Sequence, residues 1–300
     1  MVGGLRRRLA GLHADHRRIA LGAARVAFFL LLGKVVGAFK EMAVAYRYGV
    51  SDVVDAYQFT LTLANWLPVT LVGACSVVLI PALVRSRRLP GAAHGRFLRE
   101  LQGAALMVGA AVALVLLAAW PAVVPWVGGA LSGPVREMST LLILGFAPAA
   151  LFTIWTGLSA ARLRAHERHV NTLLDSMPAL VILVWVLASP AGGLWPLLWG
   201  TLVGYALQAI LLAAFAARAD GHPGGALLGR QAPQWSTLAA AAGIMLVGQL
   251  AMSFVGPIDQ YTAARLGDNA NAILGYATRL LSLVLGIGAA SVGRAALPVL

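Results

Sequence analysis

The sequence is poor in charged residues and nearly free of cysteine. Only 11% of its 300 residues are charged and one is cysteine, whereas soluble domains carry about a quarter charged residues. This scarcity of charge excludes most soluble folds, and Cys75 alone cannot form an intrachain disulfide. The six histidines lie in predicted loops or at their edges, and the motifs of zinc proteases, serine hydrolases and P-loop NTPases are absent. We therefore predict no catalytic residue, no metal site and no enzymatic activity.

What the sequence does have is long hydrophobic runs. Hydrophobic residues make up 60% of the chain, and residues 56–84 and 101–135 contain no charge at all. Such runs exceed the roughly 20 residues that a helix needs to cross a bilayer, and they lack the period of two expected of barrel strands. The sequence therefore predicts an all-α polytopic membrane protein with eight transmembrane helices. These spans are predicted at residues 19–47, 55–84, 101–127, 138–161, 170–190, 195–217, 235–264 and 271–298.

The positive charges predict the orientation of these spans. Fifteen arginines lie in the N-terminal tail and the even-numbered loops, and only Arg47, Arg136 and Arg265 lie in the odd-numbered loops. Because short loops rich in Lys and Arg stay in the cytoplasm, the N-terminus is predicted to be cytoplasmic. The net charge is +12, and the basic residues lie in loops beside the predicted spans. This position favours anionic membrane lipids as partners and not nucleic acid.

Two parts of the sequence repeat each other at offsets of 218 and 217 residues. An acid-x3-Ala-x-Arg-x-Gly pattern spans 41–49 and again 259–267, and the helix after each copy ends in a similar tetrapeptide, at 80–83 and at 297–300. Six spans fit one period, which predicts a parallel repeat about an axis along the membrane normal. We therefore predict a basic cytoplasmic tail over 1–18, a six-helix N-terminal lobe over 19–230, and the first helical hairpin of a second lobe over 231–300. Four further helices are expected to complete that lobe.

Charged residues inside the predicted spans are candidate site residues, because each costs at least about 2.5 kcal/mol at the bilayer centre. Lys34 lies near the middle of the first span, and Glu41, seven positions later, shares its helix face. Lys40 follows the same helix outward, Arg279 lies mid-span in the eighth helix, and Asp259 lies in the outer half of the seventh. We predict that the three cations line a cavity and bind an anion. The alternative is that Glu41 or Asp259 forms structural salt bridges with these cations.

The remaining membrane charges have plainer expected roles. Asp55, at the start of the second span with Asp52, is expected to cap exposed backbone N–H groups of its helix. Arg25 and Arg294 are expected to reach the headgroups with their long side chains. For Asp175 the sequence leaves two roles open, an ion ligand and a structural carboxylate satisfied by a partner.

The two hairpins resemble a known family, the lipid II flippases (MurJ/MviN) of the multidrug/oligosaccharidyl-lipid/polysaccharide (MOP) exporter superfamily. The resemblance in the first hairpin lies in residues 33–41 (GKVVGAFKE), 45–49 (AYRYG), 55–57 (DAY) and 73–81. In the second it lies in residues 259–267, 275–280 (GYATRL) and 297–298. The helices between them resemble the family only in number and polarity.

This resemblance implies two six-helix lobes, alternating access and a cationic central cavity for the pyrophosphate of a polyprenyl-diphosphate-linked sugar, in the bacterial inner membrane. It implies pyrophosphate binding by Lys34, Lys40 and Arg279, with Glu41, Asp55 and Asp259 as gating or charge-pair residues. Three departures bear on the substrate. Lysines replace arginines at 34 and 40, residues 65–76 lack the family's second-helix arginine, and residues 281–285 lack its proline.

The expected function is therefore a flippase that carries an undecaprenyl-diphosphate-linked, lipid II-like precursor from the inner to the outer leaflet. No cofactor is expected, and energy would come from the membrane potential or a cation gradient. One alternative is a flippase for the lipid-linked unit of an exopolysaccharide or O-antigen. A MATE-type drug or cation antiporter would instead have an acidic cavity, and a membrane enzyme or scaffold would have no cavity between the lobes.

Overall fold

The computed structural model describes residues 14–168, 170–190, 193–221 and 225–282, with side chains from residue 28 onward. Within these residues the chain is a series of helices joined by short segments, and no β-strand is present. In chain order the helices are α1 Ala14–Tyr48, α2 Asp52–Ser86, α3 Gly91–Val127, α4 Gly133–Ala165, α5 Val170–Leu174, α6 Met177–Ala188, α7 Trp195–Asp220, α8 Gln234–Ser253, α9 Val255–Leu266 and α10, residues 270–282.

Most of the predicted spans are confirmed as helices that are long and apolar enough to cross a membrane. Among the described residues there are six such segments: Asp52–Ser86, Gly91–Val127, Gly133–Ala165, Val170–Ala188, Trp195–Asp220 and Gln234–Leu266. The first predicted span is α1, and the eighth begins as α10. Residues 283–300, which include Arg294, lie outside the described residues, and the side chain of Arg25 is likewise not described. We call the end of the bundle that carries the Arg-rich loop after α2 the inner end, and the opposite end the outer end.

The core of the described helices is built around α4, which packs against α2, α3 and α7. Its largest side chains meet edge to face, with Tyr57 against Phe146 at 5.7 Å and Phe59 against Trp120 at 6.4 Å between ring centroids. In a bilayer, where lipid is as apolar as the side chains, such close packing is what holds helices together. Helix α2 is thereby fixed on one side, and its other side faces α8 and α9.

Helices α6 and α7 approach each other through a pair of glycines. Gly200 and Gly204 form a G-x-x-x-G pattern on one face of α7, where small residues allow close backbone contact. A Cβ added to Gly204 would lie 2.8 Å from Pro178 Cα, and one added to Gly200 would lie 3.2 Å from Ile182 Cα. Since the obstructing atoms are backbone atoms, α6 would have to move to accommodate either side chain.

Gly204→Ala is therefore expected to lower the free energy of unfolding by about 1–3 kcal/mol, as overpacking does. The matched control is Gly243→Ala in α8, which meets nothing within 4 Å and should gain up to about 1 kcal/mol from helix propensity. Thermal unfolding in detergent compares the two variants. Equal transition temperatures would contradict the close α6–α7 contact.

Two predicted spans are interrupted, although both were expected to be continuous helices. The span 170–190 is divided into α5 and α6 around Asp175 and Ser176, and the span 235–264 is divided at Phe254 into α8 and α9. Pro178 and Pro257 each follow a break, and each removes an N–H that would bond to the carbonyl four residues earlier. Asp175 lies at the first break with an exposed side chain, and its role as an ion ligand or a structural carboxylate stays a prediction.

Candidate functional site

Three of the predicted site residues meet where α1 faces α10. The Glu41 carboxylate accepts from Lys40 Nζ at 2.6 Å and lies 3.4 Å from Arg279 Nε. The Lys40 and Glu41 side chains are 7% and 13% exposed, whereas that of Arg279 is 53% exposed. Glu41 thus forms the salt bridges that were expected as the alternative to anion binding. About half of the Arg279 side chain nevertheless remains exposed.

Lys34 also contacts α10, from a position about two turns closer to the inner end than Glu41. Its Nζ donates to the backbone carbonyl of Ser282 at 2.9 Å. Lys34 and Glu41 therefore both contact α10, as expected of two residues seven positions apart on one helix face. A backbone carbonyl is a weaker partner for an ammonium group than an anion, so Lys34 remains able to exchange this contact for a phosphate oxygen.

An aromatic residue that the sequence did not indicate lies beside the charge cluster. Lys40 Nζ lies 5.6 Å from the ring centroid of Tyr57, within the range of a cation–π contact. The Tyr57 ring is fully buried, and its hydroxyl lies 3.4 Å from Thr201 Oγ1 on α7. The packed core around α4 thus fixes the position of the Lys40 ammonium group.

A second polar pair lies further along α2. Asn65 Nδ2 donates to the hydroxyl of Tyr205 on α7 at 3.2 Å. Asn65 lies in the stretch of α2 that lacks the family's arginine. The sequence indicated only that missing charge, because no motif or spacing in it pairs residue 65 with residue 205.

Asp55 caps a helix, but not the helix that was predicted. Its Oδ1 accepts from the backbone N–H of Ala272 at 2.9 Å, near the start of α10, and the side chain is 1% exposed. Its own helix begins after Ser51, whose side chain makes no capping bond. The carboxylate therefore stabilises the positive N-terminal end of α10, and it joins α2 to α10 at the outer end.

Two further contacts close the outer end around this cap. The hydroxyl of Tyr276 donates to the carbonyl of Gly49 at 2.9 Å. Gly275 lies against Gln58 so closely that an added Cβ would be 2.6 Å from its Cγ and Cδ. Helix α10 is thus held against both α2 and the loop that precedes it.

The contacts between α2 and α10 join positions that the predicted repeat makes equivalent. Asp55 and Ala272 are 217 residues apart, and Gln58 and Gly275 have the same separation, which equals one of the two repeat offsets. Equivalent positions meet only where a pseudo-two-fold axis passes between them. These contacts therefore support a parallel repeat whose axis runs between α2 and α10.

Asp259 is not brought into the cluster. It lies on α9 with an exposed side chain, and in the described parts of the chain it takes part in no ion pair. Nor do any three His, Cys, Asp or Glu residues of those parts lie close enough together to hold a metal ion. The cluster thus consists of Lys40 and Arg279 on the carboxylate of Glu41, with Lys34 on the same helix α10 at Ser282. Three cations and one carboxylate give two net positive charges. In a low-dielectric site such an excess favours an anion.

The chain is similar to one family and to several solved structures. A family model described as "Lipid II flippase MurJ" matches residues 44–300. A structure of lipid II flippase MurJ in an inward closed conformation superposes with a TM-score of 0.71 at 16% identity, covering 87% of this chain and 55% of that one. No curated protein sequence matches the chain.

Multidrug transporters share the fold as well. The MATE transporter DinF-BH superposes with a TM-score of 0.60 at 13% identity, covering 88% of this chain and 61% of that one. A Vibrio cholerae MATE transporter, VcmN, gives 0.66 at 16% identity, with 93% and 64% covered. This chain spans a little over half of the length of the MurJ structure and less than two thirds of either MATE transporter.

Proposed function

The chain belongs to the MurJ family of lipid II flippases, and we propose that it moves an undecaprenyl-diphosphate-linked cell-wall precursor from the inner to the outer leaflet of the bacterial cytoplasmic membrane. The family is one of transporters, and the six apolar spans of the described residues are those of a multi-pass membrane protein. The observation that carries the proposal is the excess of positive charge where Lys40 and Arg279 meet Glu41 and Lys34 contacts α10 one turn from Arg279, at Ser282.

The proposed mechanism is an exchange of anions at Arg279. In this conformation Glu41 neutralises part of the charge on Lys40 and Arg279. An incoming diphosphate offers more negative charge and more acceptor oxygens than one carboxylate, so it displaces Glu41 from Arg279 and takes the contact of Lys34 with Ser282. The separation of Arg279 from Glu41 then loosens the contact between α1 and α10.

The outer closure is the second element of the mechanism. Asp55 holds the N-terminal end of α10 beside α2, and Tyr276 holds it beside Gly49. Because Arg279 lies on the same helix as Ala272, a shift of α10 on substrate binding reaches this cap directly. We propose that the Asp55 cap breaks when the cavity opens outward.

The grouping and orientation of the helices complete the proposal. Residues 19–230 form the first lobe and 231–300 the opening hairpin of the second, with the tail at 1–18 and the N-terminus in the cytoplasm. The contacts between repeat-equivalent positions support this grouping. The arginine-rich inner end supports the orientation.

Two other substrates remain as competitors. A lipid-linked exopolysaccharide or O-antigen unit carries the same diphosphate, so the charge cluster does not distinguish it from a lipid II-like precursor. A cationic drug does not fit, because the cluster carries two net positive charges, although MATE transporters share the fold.

The function is tested with the purified protein in liposomes that contain labelled lipid II. We expect transfer between leaflets for lipid II and no transfer for the matching lipid that carries one phosphate, because the site is built for a diphosphate. The rate is read from the amount of label accessible at the outer surface. A labelled exopolysaccharide precursor in parallel liposomes determines which sugar is preferred. Equal transfer of the monophosphate lipid, or export of a cationic dye alone, would contradict the proposal.

A further inference from the structure

A buried carboxylate at the inner end of α3 takes no part in the charge cluster. Glu100 is fully buried, yet it lies at the start of the third span, where an unpaired charge would be costly. Its oxygens accept from three donors beyond its own helix: the backbone N–H groups of Gln231 at 3.2 Å and Ala232 at 3.1 Å, and the Trp235 indole at 2.7 Å. Arg96 adds a longer contact of 3.3 Å from one turn earlier. The carboxylate is therefore satisfied mainly by the segment that precedes α8.

This segment, residues 225–233, has no regular secondary structure and lies along α3. Its Leu227 N–H donates to the carbonyl of Arg99 at 2.9 Å, and its Gly225 N–H donates to Gln102 Oε1 at 3.2 Å. Gly103 leaves the space for it, since a Cβ there would lie 2.3 Å from the Leu227 carbonyl oxygen. We call residues 225–233 the linker segment, because it joins the first six spans to the seventh.

The start of α8 is held at the same place. The ring of Trp235 packs edge to face on Phe97 of α3 at 6.3 Å between centroids, and its indole N–H donates to Glu100 Oε2. Beyond this anchor α8 is largely exposed among the described residues, and Leu238 is its one buried side chain there. The seventh span is therefore tied to α3 at its inner end.

We propose that Glu100 is a positioning residue that clamps the linker segment to α3, so that the seventh span keeps a fixed inner pivot while the outer cap at Asp55 opens. The clamp itself is inferred from the contacts of Glu100 alone. Only the role of the clamp in transport rests on the proposed function. A carboxylate suits this task because it only accepts hydrogen bonds, and here it faces only donors. In Glu100→Gln the amide NH2 would face a donor, so the clamp loses at least one bond.

Trypsin cleavage after Arg230 measures the clamp directly. The bond that is cut precedes Gln231, whose N–H is bound to Glu100, so cleavage requires the linker segment to leave α3. We expect the new N-terminus at Gln231 to form about ten-fold faster in Glu100→Gln, because cleavage follows the population of the open form. Cleavage after Arg88, in the exposed loop that follows α2, is the internal reference and should not change.

A second variant tests the packing of the linker segment on α3 without touching the carboxylate. Gly103→Ala pushes on the Leu227 carbonyl and should also accelerate cleavage after Arg230. The controls are Glu137→Gln, the same chemical change at an exposed glutamate, and Gly91→Ala, where a Cβ meets nothing within 4 Å. Unchanged cleavage in Glu100→Gln would overturn the clamp, whatever the result for Gly103→Ala, because the clamp consists of the contacts of Glu100.

Leaflet transfer then tests the pivot. Glu100→Gln and Gly103→Ala are expected to slow transfer of labelled lipid II several-fold while its binding affinity stays that of the wild type. Faster cleavage with unchanged transfer would overturn the positioning role and leave only a structural contact. If the wild type transfers no lipid, the proposed function fails, whereas the cleavage result still decides whether Glu100 holds the linker segment.

Discussion

Charge reversal at Arg279 is expected to abolish leaflet transfer of the lipid-linked diphosphate. In Arg279→Glu a second carboxylate would stand where Arg279 Nε now lies 3.4 Å from Glu41, and the site would lose its most exposed cation. A hydrogen bond to a charged group contributes about 1.5–3 kcal/mol, so even Arg279→Gln should slow transfer roughly 10- to 150-fold. Reversal should cost more, because repulsion adds to the lost contact. The measurement is the initial rate of transfer in liposomes with matched amounts of folded protein.

The controls separate anion binding from a salt bridge that only fixes the packing of α1 on α10. The double variant Glu41→Gln, Arg279→Gln replaces the ion pair by two amides that can still bond to each other. If the pair were purely structural, this variant would recover most of the transfer lost in Arg279→Gln. We expect no recovery, since the diphosphate has lost its cation. Arg265→Glu, an exposed reversal beside Tyr261, should retain transfer.

The spans could be predicted because they depend on local composition. Length and charge-free runs are properties of contiguous sequence, and the described helices follow them. Helix geometry likewise sufficed to place Lys34 and Glu41 on the face that contacts α10. These features need no knowledge of which helices are neighbours.

The breaks within the spans were harder to predict, although proline was a visible signal. Pro178 and Pro257 follow interruptions, whereas Pro68, Pro81 and Pro148 lie inside continuous helices. A proline removes one backbone bond in every case, and neighbouring helices and side chains decide whether the helix continues. The residue type alone therefore does not determine where a span is interrupted.

The polar contacts missed from the sequence all depend on distant partners. Asp55 was expected to cap its own helix, and its acceptor oxygen instead meets Ala272, 217 residues away. Glu100 was not singled out, because its donors lie 131 to 135 residues further along the chain. The repeat held a usable signal for the first of these contacts. Its offset equals the separation of Asp55 from Ala272, so a parallel repeat with its axis at α2 could have suggested the pairing.

Removing the Asp55 carboxylate should open the outer end. Asp55→Ala leaves the N–H of Ala272 without its acceptor in a buried site and removes the negative charge at the start of α10. The loss of one such bond costs about 1–3 kcal/mol, which corresponds to a roughly 5- to 150-fold shift toward the open form. Asp55→Asn keeps an acceptor oxygen without the charge, so its effect should be smaller.

The opening is measured by the reactivity of a cysteine placed behind the cap. Gln58 is 2% exposed and lies against Gly275, so in a Cys75→Ser background Gln58→Cys should react slowly with an impermeant thiol reagent added outside. Asp55→Ala should accelerate this reaction at least about five-fold, whereas Asp52→Ala, in the same first turn of α2, should not. Ala147→Cys, buried in the core of the first lobe, must stay unreactive in every variant, which distinguishes opening from unfolding. Equal reactivity of Gln58→Cys with and without Asp55 would show that the cap does not close the outer end.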